Sequence, residues 1–215
     1  MPARERAARA RKEKRMLGRA MFATFAVLLL CIVIGSTAGA QQSAADQKKA
    51  QEEMYLKLMA PGEHHVFLKN YIGDWQVETT AMMTPGAAPE KSQSTEHAEM
   101  IMGGRFVMIR FTGTMMGQPF EGLQIIGYDN IGKKCQTFWI DNAGTSFYTT
   151  SGELDKTGKT LDEKGQWPNP MGPAPMPVRA VTRFTGPDEY IYELYMTGPD
   201  GKEFKALENK AVRKK

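Results

Sequence analysis

From Trp75 to the C-terminus the residues alternate polar and apolar, and clusters of Gly, Asn, Asp and Pro cut the alternation into short pieces. A period of two is the signature of a strand with one face buried. The pattern predicts strands near 75–83, 93–102, 105–114, 119–128, 134–141, 145–153, 159–166, 177–185, 189–196 and 203–212. The punctuation reads "TPGAAPE", "GG", "MG", "DNIGK", "DNAG", "DKTGK" and "TGPDGK". These are the residues that hairpin turns need for positive φ or a preset bend. No helix-length pattern separates the strands, so parallel crossovers are not expected. The expectation is all-β: a single antiparallel up-and-down β-barrel of about ten strands, closed so that no edge is left exposed. One connection differs. "QWPNPMGPAPMPV", Gln166 to Val178, holds five prolines and cannot enter a ladder. It reads equally as a lid, a binding loop or a cover for one barrel end.

The alternation begins inside "KNYIGDWQVETTAMM". Before it, Val66, Phe67, Tyr71 and Ile72 fall at helical spacing and predict one short amphipathic helix. A helix closing a barrel end must hand the chain to the first strand at a sharp angle. Gly73, lacking a Cβ, permits that bend. Trp75 then points inward and plugs the base, with its indole N–H seeking a backbone carbonyl. Gly73 and Trp75 are therefore structural residues.

The chain has 215 residues and a net charge of +4, which suggests an anionic partner. The first nineteen residues overturn that reading: eight are basic and two acidic, so the rest of the chain carries a net −2. Bulk attraction to nucleic acid is not indicated. The basic stretch is followed by the apolar run "AMFATFAVLLLCIVI" and by "GSTAGA", which ends in a small-x-small pattern. Residues 1–40 read as a signal peptide cut after Ala40, which places the protein in the periplasm or the medium. An uncleaved anchor stays open, although a spanning helix needs about 20 apolar residues; membrane contact is expected only through that leader. Residues 41–60 read as a polar tether with a frayed helix, and 61–215 as the barrel domain. After cleavage one cysteine remains, Cys135, which excludes an intramolecular disulfide.

Several segments resemble a known family. Helix, Gly-x-Trp and a meander of strands are similar to lipocalins and fatty-acid-binding proteins. More specifically, "GDWQVE", "MIMGGRF", "MMGQPFEG", "GYDN", "TFWID" and "YMTGPDGKEFK" occur in order and together resemble the bacterial domain of unknown function 1579. The resemblance covers roughly residues 61–215 and implies a lipocalin-like barrel in an exported protein, with no activity attached. It also implies a basic residue near the last strand set against the Gly-x-Trp tryptophan, a place that Arg213 could fill.

Strand parity sorts residues by face. Cys135, Thr137, Trp139 and Asp141 share one face; Tyr190, Tyr192, Leu194 and Met196 share another; Arg179, Val181 and Arg183 oppose Val178, Ala180, Thr182 and Phe184. On 105–111 both faces are apolar, leaving the inner one ambiguous. A cavity lined by apolar and aromatic groups with a few polar ones would bind a small apolar or amphipathic ligand. The ligand-binding candidates are Tyr128, Trp139, Asp141, Tyr148, Arg183 and Tyr192. The plainer alternative is a barrel filled by its own side chains, with the charges outside.

Enzyme signatures are absent: no Gly-x-Ser-x-Gly, no His-Glu-x-x-His, no phosphate loop. No catalytic residue is assigned, although Asp141 or Glu193 could serve as an acid–base group. Cys135 reads as a small core residue. Met82-Met83, Met100-x-Met102 and Met115-Met116, with His64, His65 and His97, invite a copper reading, against which gap-filling methionines are the simpler account. Haem would need an inward histidine late in the chain, and the last is His97. No cofactor and no metal are expected.

Overall fold

The computed structural model describes residues 44–115, 117–169 and 172–215. Residues 1–43, which include the expected leader, lie outside the described residues, as do Met116 and, in the proline-rich connection, Pro170 and Met171. Residues 49–215 form one compact unit. Helix α1 runs over Ala44–Met59, and its residues from Asp46 on are exposed. Among the described residues no helix is long and apolar enough to cross a membrane.

A 3-10 segment, Glu63–Tyr71, leads into ten strands. These are β1 (Gly73–Ala81), β2 (Glu90–Ile101), β3 (Phe106–Met115), β4 (Gln118–Asp129), β5 (Lys134–Asp141), β6 (Tyr148–Leu154), β7 (Thr160–Trp167), β8 (Met176–Gly186), β9 (Glu189–Thr197) and β10 (Glu203–Arg213). Each pairs antiparallel with its sequence neighbour, and β1 pairs with β10, Trp75 opposite Arg213, to close an up-and-down barrel. The local reason is the expected alternation: on β1, Trp75 and Val77 are buried while Gln76 and Glu78 are exposed.

The helix before β1 is a correction. The segment is 3-10, with three residues per turn, so His65, Leu68 and Tyr71 form the buried row, joined by Phe67. Val66, assigned to the apolar face from the 3.6 period, is 57% exposed, and Ile72 is exposed as well. His65 anchors the segment: its own N–H donates to the Gly62 carbonyl at 3.0 Å, and the Gly62 N–H donates to its Nδ1 at 3.0 Å. Phe67, Leu68 and Tyr71 pack on Val107, Ile109 and Ile126 to close one end of the barrel.

The base is built around Trp75. The indole is fully buried and donates to the Tyr71 carbonyl at 2.7 Å. Tyr190 meets it edge-on at 5.0 Å, and the Arg213 guanidinium lies 4.0 Å above its ring. Arg213 in turn donates to the carbonyls of Ile72, Asn70 and Pro187 and to Asp188, tying the entrance of β1 to the end of β10. Gly73 has φ 121°, and a Cβ there would sit 2.7 Å from Arg213 Nη1. The bend and the close approach both require glycine.

Candidate functional site

Side chains do not fill the barrel. A cavity of about 940 Å³ runs from Tyr71 and Glu96, above the plugged base, to a mouth edged by Met83, Glu90, Met115 and Phe120. It is larger than the roughly 300 Å³ below which a small-molecule site becomes implausible. A second depression, of about 560 Å³, lies on the outer face around Phe106, Ile125 and Phe138. Its lining is open and mixed, with Lys134, Gln136, Lys164 and Gln166 around those apolar groups.

Four of the six sequence candidates line the interior: Trp139, Asp141, Tyr148 and Tyr192. Trp139 is the organised element of the mouth. Its Nε1 donates to Asp141 Oδ2 at 2.6 Å, and Asp141 Oδ1 accepts the N–H groups of Ala143 at 3.0 Å and Gly144 at 3.1 Å. One carboxylate therefore sets the turn and aims the indole. Phe111 meets the ring edge-on at 4.9 Å. Gly122 makes room beneath it: a Cβ there would come within 2.4 Å of the indole. Tyr148 packs on Trp167 at 4.8 Å.

The other two candidates lie elsewhere. Tyr128 is on the inward parity of β4 but at the closed end, stacked with His64 at 4.6 Å and edge-on to His65 at 5.9 Å, so the 3-10 segment covers it. Arg183 faces outward and pairs with Glu193. That correction follows from the faces of β8: Val178, Ala180 and Thr182 point in, and Arg179 and Arg183 join an outer belt. There Glu193 also accepts from Lys205 at 3.0 Å and Tyr195 at 3.1 Å, which holds its carboxyl below the usual range despite burial. Glu193 is thus removed from the interior acid–base candidates.

The methionine groupings separate too. β2 ends at Ile101, and Met102 is in a turn with φ 50° and is 69% exposed, while Met100 packs into the core. The two do not share a face as an unbroken strand would require. His97 is outward, its ring bonded to Asp74 at 2.8 Å. Cys135 is buried and its thiol pushed up to about 12 by desolvation, which leaves it inert as a nucleophile.

Sequence reasoning missed two interior acids. Glu96 on β2 is 2% exposed and Glu163 on β7 is 4% exposed. Glu96 accepts the Tyr190 hydroxyl on one oxygen. Glu163 accepts the Thr137 hydroxyl, at 3.0 and 2.9 Å from its two oxygens, and bonds Thr150. Burial pushes both carboxyls up to about 7. A signal existed: Leu161, Glu163, Gly165 and Trp167 share one face of β7, and Glu96 shares its face with Ala98.

The model of the family described as Protein of unknown function (DUF1579) matches residues 60–213. Among solved structures the chain is similar to Rv2717c from M. tuberculosis, at 14% identity and a TM-score of 0.55, over 73% of this chain and 100% of that chain. That likeness is one of fold. A redesigned beta barrel matches at 17% identity over 69% of this chain and 95% of that chain, with a TM-score of 0.38. No curated protein matches the chain.

Proposed function

The chain belongs to the family described as Protein of unknown function (DUF1579), and because membership assigns no activity we propose, from the cavity, a non-enzymatic binder of a small apolar or amphipathic molecule that works after export. The observation that carries this reading is the unfilled interior of about 940 Å³, floored by Tyr71 and Tyr190 and lined by aromatic rings with a few polar groups among them. A barrel stabilised only for its own sake gains by filling such a space, since empty core volume costs free energy. Export draws on the basic, apolar and small-residue order of residues 1–40.

Native mass spectrometry of the purified protein tests the binding reading: a non-covalent adduct that is lost on denaturation is expected. Ala180→Phe projects a ring into the cavity from a buried wall position and should abolish the adduct while the fold survives. An adduct-free protein that also fails to take up a neutral environment-sensitive dye would sink the reading. For export, the full chain expressed in a bacterium with an outer membrane should be recovered outside the cytoplasm with Gln41 as its first residue.

A second reading, an enzyme acting on a small hydrophobic substrate in the same cavity, draws on Glu96 and Glu163, because acids held near neutrality suit proton transfer. It predicts that a bound molecule is chemically altered on incubation and that Glu163→Gln stops the change without releasing the molecule.

A further inference from the structure

Of the three buried carboxylates among the described residues, Glu96, Glu163 and Glu193, only Glu193 has a counter-ion. On the outer face Glu193 is paired with Arg183 and Lys205, Glu208 with Lys205 and Lys210, and Glu203 with Arg179. Inside, among the described residues, no Lys, Arg or His forms an ion pair with Glu96 or Glu163. Their partners are hydroxyls: Tyr190 for Glu96, Thr137 and Thr150 for Glu163. Glu96 Oε1 is fully buried and has no hydrogen-bond partner at all. A buried, unpaired carboxyl is costly, and folds rarely keep one without a use for it.

The two acids sit on β2 and β7, five strands apart in a ring of ten, and so face each other from opposite walls. Tyr71, from the 3-10 segment, lines the same cavity and lies within electrostatic reach of both. Its hydroxyl is buried beside Thr182 without completing a hydrogen bond of normal geometry. Tyr190, Tyr192, Trp139, Trp167 and Phe111 present rings to the same cavity. Ring faces attract cations, and more strongly where water is excluded. Acidic oxygens and aromatic rings, with no basic side chain at the floor, are the complement of one ligand chemistry.

We propose that the floor of the barrel, between Glu96 and Glu163, is a site for an organic cation: a protonated amine head bound by the two carboxylates, with its apolar body lying along the aromatic wall toward Trp139. This rests on the binding reading of the cavity and narrows it to a charge class. The cation supplies the donor that Glu96 Oε1 lacks. Binding then draws both carboxyls to the ionised form, so uptake of the amine releases protons near neutral pH.

Displacement of Nile red by dodecylamine, dodecanol and dodecanoate, each below its micellar concentration, tests the site. The three share an apolar body and differ in charge. At pH 8 dodecylamine should displace the dye at a concentration at least about tenfold below dodecanol, which corresponds to about 1.4 kcal/mol, and dodecanoate should be the weakest. Lowering the pH to 5 protonates both acids and should erase the preference for the amine. The other titratable groups facing the floor are Tyr71, Tyr190, Tyr192 and Cys135, all raised by burial and neutral across this range. The charged residues at the mouth are Glu90, Lys91 and Asp141. Glu96→Gln and Glu163→Gln should each bring the amine-to-alcohol ratio close to one, with near-ultraviolet circular dichroism reporting an intact fold. Equal displacement by amine and alcohol in the unaltered protein, or tightest binding of dodecanoate, overturns the proposal while leaving the cavity reading standing. Failure of Nile red and all three amphiphiles to bind overturns both.

Discussion

At the scale of single residues the base of the barrel is the most constrained place in the chain. Trp75 buries a large ring, makes one hydrogen bond and lies under one guanidinium. Trp75→Phe keeps most of the apolar contact but strands the buried Tyr71 carbonyl, and should cost about 2 kcal/mol in urea unfolding; Trp75→Ala should cost about 4 kcal/mol. Gly73→Ala meets a backbone of φ 121° and the Arg213 guanidinium together. A loss of about 2 kcal/mol is expected there from backbone strain alone, against near-neutrality for Gln76→Ala on the exposed side of the same strand. At the mouth, Asp141→Ala removes the acceptor of Trp139 Nε1 and of two turn amides. Tryptophan emission should shift to the red and lose its near-ultraviolet dichroism, with a smaller loss of stability than at Trp75. These residue roles were only partly readable from sequence. Gly-x-Trp announces itself because a bend and a plug need those two side chains. The third partner, Arg213, comes from the far end of the chain, and only the resemblance pointed to it.

At the scale of elements, strand positions were legible because alternation and turn chemistry are local. Parity was legible only where one face is plainly apolar. On β8 the outward residue Val181 is as buried as its inward neighbours, so the face it shares with Arg183 looked like a cavity wall. The reverse failure hid Glu96 and Glu163, since an acid on a strand is ordinarily assigned to solvent. The 3-10 segment was misread by its period, three against 3.6, which moved Val66 to the wrong side. The interior acids give β2 and β7 a measurable signature. A carboxyl whose value rises on folding from 4.5 to about 7 binds its proton more tightly in the folded state. Each therefore contributes stability that is complete below about 4.5 and is lost as pH rises through about 7. Asp155, lowered to about 2 by amide and hydroxyl donors, together with Glu193 and Glu208, acts in the opposite sense and at lower pH. His65, lowered by desolvation, loses its contribution as pH falls below 6.5. The difference between the parent and the Glu96→Gln, Glu163→Gln double variant isolates the two acids. Relative to the variant, the melting temperature of the parent should fall between pH 4.5 and 7; parallel curves across that window would show that neither acid is desolvated as described.

At the scale of the whole molecule, closure by the β1–β10 ladder makes every strand a neighbour of two others. That could be argued beforehand only from the penalty on open edges, and not from any residue pair. It predicts all-or-none behaviour. Removing residues 203–215 deletes β10, the Arg213 clasp and the covering of β1 and β9. The shortened chain should lose its cooperative thermal transition altogether; a sharp transition shifted by only a few degrees would mean that the sheet does not depend on its seam. The same seam imposes an order in time. As the polypeptide leaves the ribosome, its first strand emerges early and must wait, hydrogen-bonded on one side only, until β10 is released. Until then hairpins can form and dissolve but no enclosed interior exists, so the barrel cannot close around anything before β10 has been made.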